Sequence, residues 1–407
     1  MRPAIHAGCA LFALLLRWFS PAEALLMAGL ACVFNLIFLP ALLPSLFRPG
    51  ERNVTGGIFL YPAAVLLLIA SLPLPLAAAA WTIMAVGDAA AAAAGRALGG
   101  PRLPWNQTKT LAGSAAFFLA GGAGGAAMLA WMQAPDWRAA LAAAAAGAVA
   151  ESLPWRVNDN LAAPAAAAPV LLWLSGSSFE FHVALDPVGA ALSAALGLAS
   201  LTAGLVTLSG AIGGAVVATL LYSLGGWQAF VLLGAFFVLG SGATRVAYQR
   251  KAAMGLAEQR RGARTAEQAV ANAGAAVIFA FLGWPLALAA SLAAAAADTI
   301  ATEVGPLFRG RVFLLVSGKA VAPGTSGGVS LAGTVAGIVA AAALAATAAA
   351  TGLVQTEQIL SLTVAAATGS AGDSLLGGTL ERRGLLNNEG VNFLGTAAAG
   401  IVAMGLV

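Results

Sequence analysis

The stretch Ala85–Ser114, AVGDAAAAAAGRALGGPRLPWNQTKTLAGS, sets one carboxylate, Asp88, inside an alanine-rich apolar run and leaves it through a basic segment carrying Arg96, Arg102 and Lys109. An acidic side chain in a membrane-length segment is expensive and reads by default as functional. Its surroundings recur. From Asp88 an Ala follows at +3 (Ala91), a Gly at +7 (Gly95) and a Lys at +21 (Lys109); from Asp298 the same offsets give Ala301, Gly305 and Lys319, each 210 positions on. The chain reads as two related halves.

Composition says what solvent surrounds them. Of 407 residues, 60% are hydrophobic and 9% charged, with a mean hydropathy of +0.90, whereas soluble domains carry roughly 25% charged residues. The expected fold is therefore an all-α, polytopic membrane protein. Cys9 and Cys32 lie in apolar runs and offer no disulfide framework or metal-ligand spacing, and His6 and His182 supply no histidine-rich metal site. The excess of 20 Lys+Arg over 16 Asp+Glu reports topology rather than nucleic-acid binding. No small-residue cleavage site precedes Pro21, so no cleavable leader is expected.

Apolar runs of about 20 residues predict about 14–15 transmembrane helices. The polar link 175–187 separates a first domain, 1–175, from a second, 188–407. Threading from a cytoplasmic Arg2 puts Arg48, Arg52, Arg96, Arg102, Lys109 and Arg156 on one face. The second-half segment Arg245–Arg264, with Arg309, Arg311, Lys319, Arg382 and Arg383, falls on the same face. The positive-inside rule makes that face cytoplasmic, and the two copies are then parallel rather than inverted.

Three polar features cluster at the cytoplasmic helix ends of each half. The first half has Asp88, the Arg102–Lys109 loop and ESLPWRVNDN (151–160), which holds Glu151, Asn158, Asp159 and Asn160. The second has DTIATEVG (298–305) with Asp298 and Glu303, GKAVAPGTSGGVSLAGT (318–334), and GDSLLGG (372–378) with Asp373, followed by Asn387, Asn388 and Asn392. The loop exits TLAGS (110–114) and SLAGT (330–334) align if the second copy carries ten more residues; Glu151, moved by both offsets, then falls within two residues of Asp373.

This chemistry suits a polyphosphate. Mg²⁺ takes oxygen ligands and is usually held by one or two carboxylates plus substrate phosphates; the candidates are Asp88, Glu151 and Asp159 in the first half, and Asp298, Glu303 and Asp373 in the second. Lys109 with Arg96, and Lys319, would meet phosphate as point charges. Glycine backbone at Gly95, Gly99 and Gly113, and at Gly305, Gly324, Gly327 and Gly328, would let N–H groups approach anionic oxygens. Bland readings stand beside these. Loop cations anchor topology, polyalanine makes thin packing helices, Arg245–Arg264 contacts anionic head groups, and Asn158, Asn160 and Asn392 cap helices.

The string Asp88, Ala91, Gly95, Gly99, followed by Lys109-Thr110 and Gly113-Ser114, resembles the CTP-binding signature of the dolichol kinase and phytol kinase family. Glu151 to Pro164 resembles its second string, and Arg2 with His6 its leading Arg-Lys-x-x-His, with Pro3 in place of Lys. The second half resembles a sister family of integral membrane proteins that includes plant phytyl-phosphate kinase. It does so through GATRVAYQRKAAMG (242–255), Asn272 to Gly274, ADTIATEVGPL (297–307), the 318–334 loop, DSLLGGTLE (373–381) and VNF (391–393). The resemblance implies a fused salvage kinase that uses CTP or another nucleotide with Mg²⁺. Its first half would convert an isoprenoid alcohol to the monophosphate, its second would make the diphosphate, and both sites would face the cytoplasm. It implies catalytic roles for Asp88, Glu151, Asp298 and Asp373, and site roles for Asn272 and Asn392. A lipid-phosphate cytidylyltransferase and a transporter or flippase are the alternatives.

Overall fold

Backbone groups in a bilayer have no water to bond, so a chain this apolar must satisfy them within helices. Most of the described chain does so. Its structure, a computed structural model, describes residues 8–46, 57–154, 158–255, 262–308 and 310–406. Arg2, Pro3, His6, Arg48, Arg52, Arg156, Arg260, Arg261 and Arg309 lie outside the described residues.

Among the described residues, seven helices are long and apolar enough to cross a membrane: Pro21–Leu42, Leu74–Ala97, Leu111–Trp131, Leu208–Arg245, Pro285–Leu307, Leu331–Ala350 and Thr356–Glu381. That is fewer than the apolar runs predict. Gly57–Ser71, Pro187–Thr202 and Ala266–Phe281 are apolar but have 15 or 16 residues, about 24 Å against a hydrocarbon thickness of roughly 30 Å. Leu208–Arg245 goes the other way: its 38 residues break at Gly226, where φ is 77° and ψ 177°, so it behaves as two helices.

The chain divides into two compact units, Met1–Leu36 with Ser45–Ala184, and Ile37–Pro44 with Leu185–Val407. The division at Ala184 falls inside the polar link; the transfer of Ile37–Pro44 to the second unit was not legible in the sequence.

The first unit contains α1 (Pro21–Val33), α2 (Gly57–Ser71), α3 (Leu74–Ala97), β1 (Arg102–Leu103), β2 (Asn106–Thr110), α4 (Leu111–Trp131), α5 (Trp137–Ser152) and α6 (Asp159–Ser175). Helix α3 is buried continuously from Leu76 to Ala85. A helix that is apolar on every side belongs in the centre, and α3 packs against α4, α5 and α6. The indole of Trp81 donates to the Tyr61 hydroxyl at 2.8 Å and ties α3 to α2.

The second unit contains α7 (Pro187–Thr202), α8 (Leu208–Arg245), α9 (Tyr248–Ala253), α10 (Ala266–Phe281), α11 (Pro285–Val304), β3 (Val312–Leu314), β4 (Ala320–Val321), β5 (Gly328–Ser330), α12 (Leu331–Ala350), α13 (Ile359–Leu376) and α14 (Asn388–Gly405). Here α11 is central, buried from Leu286 to Ala297 and packed on α8, α10, α12, α13 and α14. The Ser291 hydroxyl donates to the Thr396 carbonyl at 2.8 Å, joining α11 to α14.

The segments expected as plain loops form small sheets. β1 pairs antiparallel with β2, and β4, β3 and β5 form an antiparallel sheet in that order. Extended backbone between helices needs partners for its N–H and C=O groups, and strand pairing provides them.

Glycine sets how closely the helices approach. At Gly369 on α13, an added Cβ would stand 2.6 Å from Ala399 Cβ and 2.6 Å from the Gly395 carbonyl oxygen, both on α14. Gly369→Leu is therefore expected to cost about 1–3 kcal/mol by overpacking, read as a lower melting temperature of the purified protein in detergent. An unchanged melting temperature would contradict this packing.

Candidate functional site

In the second unit α11 and α13 bring two carboxylates together. Asp298, on α11, and Asp373, on α13, line one small polar pocket together with Asn272 and Asn392. Two ionised carboxylates so placed repel, so a proton or a cation between them is favoured. Both line a cavity of about 420 Å³ that Glu303 and Glu381 also reach. Asn272 and Asn392 complete the polar floor, with Gly305 on one wall and the loop of Gly324, Gly327 and Gly328 on another. That loop packs tightly on the C-terminal end of α13 and the turn after it: Gly327, at φ +77°, lies so close that a Cβ would sit 2.3 Å from the Gly378 nitrogen and 2.6 Å from the Ser374 oxygen. Gly327 is required for close packing as well as for its left-handed backbone.

The donor set fits a hard divalent cation shared with a phosphate. Mg²⁺ is typically bound by one or two carboxylates with substrate oxygens completing the shell. Asp298 and Asp373 supply that number, and Asn272 and Asn392 add amide groups nearby. Among the described residues, no group of three or more His, Cys, Asp or Glu side chains could hold a metal ion. Glu303, expected as a metal ligand, is instead engaged by Lys251, which is 1% exposed and ion-paired to it. Lys251 also donates to the carbonyls of Ala243 and Thr244, at 2.9 Å each.

The +21 lysines do not share a place. Lys319 is exposed at the turn between β3 and β4, where its carbonyl accepts from the Leu314 N–H at 2.9 Å, and it does not line the cavity. The ten extra residues follow it, so the residue just before the helix cap is Lys109 in the first unit but Val329 in the second. Among the described residues, Arg264 lines the cavity and Lys251 meets it through Glu303. Both belong to the segment 245–264, expected to contact anionic head groups; folding turns them inward. The quoted string 242–255 contained Lys251, but nothing local separates it from Arg250 beside it, because its partner Glu303 lies 52 residues away.

In the first unit, Lys109 on β2 reaches both Glu151, at the end of α5, and Asp159, at the start of α6, at 2.7 and 2.8 Å. The two carboxylates expected to hold a metal are thus bridged by the lysine expected to bind phosphate. Burial pulls the Lys109 ammonium down, but Glu151 and Asp159 outweigh it and hold the group above its ordinary value. Asp88 is near enough to act electrostatically on Glu151. Arg96 is exposed at the end of α3. Gly99 and Gly100 take φ of +59° and +87° with open space around them, and turn the chain into the hairpin. Asn158 caps α6, accepting from the Asn160 N–H at 3.1 Å, while buried Asn160 donates to the Gly57 carbonyl at 3.0 Å. The capping role is the one realised for Asn158, and Asn160 ties α6 to α2.

One local geometry occurs in both units. Thr110 Oγ1 accepts from the Gly113 N–H at 3.1 Å, and Ser330 Oγ accepts from the Gly333 N–H at 3.1 Å. A Cβ on Gly113 would meet Thr110 Oγ1 at 3.1 Å and the Ala91 carbonyl at 3.2 Å; on Gly333 it would meet Ser330 Oγ at 3.0 Å and the Ala301 carbonyl at 2.8 Å. Gly95 faces the same hydroxyl at 3.2 Å and Gly305 its counterpart at 2.8 Å. One turn deeper the units differ. Phe117, fully buried, presses its ring on Gly87 and Gly147 in the first, whereas Gly337 lies against Ala297 in the second and both line the cavity.

The family model described as "Integral membrane protein DUF92" matches residues 191–400. The uncharacterized membrane protein sll0875 of Synechocystis sp. is 32% identical over 202 residues, covering 47% of this chain and 78% of its own. The uncharacterized membrane protein MJ0933 of Methanocaldococcus jannaschii is 31% identical over 201 residues, 48% of this chain and 83% of its own. Protein VTE6, chloroplastic, of Arabidopsis thaliana is 30% identical over 224 residues, 51% of this chain and 67% of its own. No solved structure matches.

Removing one member of a buried ion pair strands the other. Lys251→Met should cost about 3–5 kcal/mol, and adding Glu303→Gln should recover part of it, both read from melting temperatures in detergent. Lys109 carries a pH signature. Its contribution is full below an unfolded pKa near about 10.4 and is lost as pH rises through the raised folded value. Melting temperature should therefore fall at alkaline pH more steeply in the parent than in Lys109→Met; parallel curves would refute the coupling.

Proposed function

The chain belongs to the DUF92 family of integral membrane proteins, and on that footing we propose that its second unit is a phosphotransferase converting a long-chain isoprenoid monophosphate to the diphosphate, with CTP or another nucleoside triphosphate as donor. The observation that carries this reading is that Asp298 and Asp373 share the floor of a polar cavity beside a glycine-rich loop. Phosphoryl transfer needs in-line positioning and charge neutralisation more than covalent work. A Mg²⁺ ion held by Asp298 and Asp373 would supply that neutralisation. The Gly324–Gly328 loop would lie over the nucleotide phosphates, and Arg264 would hold the lipid phosphate. A lipid phosphate oxygen attacks the terminal phosphorus of the nucleotide, the bond to the departing nucleoside diphosphate breaks, and a phosphoanhydride forms.

For the first unit we propose the preceding step, phosphorylation of the isoprenoid alcohol, with Asp88 placed to receive the hydroxyl proton. The resemblance of residues 1–175 to dolichol and phytol kinases supports it. The shared geometry around Thr110 and Ser330 supports descent of the two units from one repeat, and the distribution of Lys and Arg among the loops supports cytoplasmic sites. The protein is a multi-pass integral membrane protein similar to a chloroplast protein.

The test is an assay of the purified full chain in lipid nanodiscs with CTP labelled in its terminal phosphate, Mg²⁺, and geranylgeraniol or its monophosphate. Label should enter lipid diphosphate when monophosphate is supplied. Asp298→Asn should lower that step about 100-fold or more while alcohol conversion persists, and Asp88→Asn should do the reverse. Label released only as pyrophosphate would make the protein a cytidylyltransferase, and loss of both steps in either variant would mean one shared site.

A further inference from the structure

A second cavity, of about 130 Å³, lies among α7, both halves of α8, and α10. Its wall is mostly apolar, with Leu196, Phe230, Leu233 and Phe237 among its residues. Leu196 is 54% exposed, and its α7 neighbours Leu192 and Leu198 also face outward. The chamber thus opens onto a surface that faces hydrocarbon in a bilayer.

Arg264 and Gln268 line both this chamber and the polar cavity. Arg264 is built in place. Its N–H donates to the Leu205 carbonyl at 3.1 Å, its own carbonyl accepts from the Thr207 N–H at 2.9 Å, and its guanidinium stacks 5.1 Å from the Phe236 ring centre. A Cβ on Gly240 would stand 2.3 Å from Arg264 Nη2, so glycine there makes room for the guanidinium. Two other glycines have no such reason. Gly214 and Gly234, in the two halves of α8, line the chamber, and a Cβ on either would meet nothing within 4 Å. Glycine inside a helix costs about 1 kcal/mol relative to alanine. At these positions it serves no packing contact and leaves the chamber wide.

We infer that this chamber holds the hydrocarbon tail of a single-chain isoprenoid phosphate, with its phosphate at Arg264 and its reacting oxygen turned toward Asp298 and Asp373; the inference rests on the phosphotransferase reading above. An apolar pocket ending at one fixed guanidinium matches a lipid monophosphate in both parts, because the planar fork of arginine pairs with phosphate oxygens and the tail displaces nothing polar. Arg264 lines both cavities, so it stands where the tail and the head group would meet.

The test uses the full chain in phosphatidylcholine nanodiscs and a long-chain isoprenoid monophosphate carrying a diazirine on its tail. Cross-links should map to α7, α8 and α10, and should be displaced by unlabelled geranylgeranyl monophosphate but not by a single-isoprene monophosphate. Gly214→Leu and Gly234→Leu, which have room for a side chain, should each lower labelling about tenfold or more with unchanged melting temperature, and Arg264→Gln should lower it without moving the sites of the residual cross-links. Labelling elsewhere, labelling indifferent to both leucine variants, or equal displacement by phosphatidic acid would overturn the proposal. Turnover separates the two readings. The predicted cross-links without diphosphate formation would leave the tail chamber and remove the kinase; diphosphate formation with the same chain-length preference in both leucine variants would remove the chamber alone.

Discussion

Backbone-to-backbone contact between α11 and α12 underlies the second unit. Gly333 and Gly337 face the carbonyls of Ala301 and Ala297 so closely that no side chain fits. Lipid tails are as apolar as leucine, so helices in a membrane gain little from hydrophobic burial and associate through van der Waals contact and hydrogen bonds. The alanine run of α11 provides thin surfaces on every side, which is how one helix packs against five others. The cap hydroxyl of Ser330 lies within that contact and aligns the sheet with the helix it leads into.

Such packing carries ionisable groups into a medium of low dielectric, where each requires a partner. Lys109 satisfies Glu151 and Asp159 together, and Lys251 satisfies Glu303. Asp298 and Asp373 share one small polar pocket. A carboxyl pair beside a cavity is poised to take a cation, whereas Glu151, Asp159 and Glu303 are each engaged by a lysine. That difference sorts five acidic residues which look alike in the sequence.

Parts of the site were readable without coordinates. The recurrence of Asp88 at Asp298, the acid near Asp373, and the glycines between 324 and 328 all point to the second-unit cavity, because membrane carboxylates and clustered glycines are costly in any context. Lys319 misled, because an equal count of residues is not an equal position once an insertion lies between the cap and the lysine. Arg264 and Lys251 were hidden in a basic run, since charge runs on membrane helices usually face head groups and only the fold turns two of them inward. Among the described residues the long apolar helices number fewer than the apolar runs, because an apolar run does not show whether its helix extends to 20 residues or ends at 15 or 16.

By itself the sequence determined the solvent and the helical class, and it marked the positions where a carboxylate in an apolar run is expensive. These are local or compositional properties, and the physics of the bilayer reads them directly. Tertiary structure decided which carboxylates face one another and which face a lysine, which glycines hold helices together and which leave a chamber open, and which arginine stands between the apolar and polar cavities. Those outcomes depend on distances between residues far apart in the chain, and only packing sets such distances.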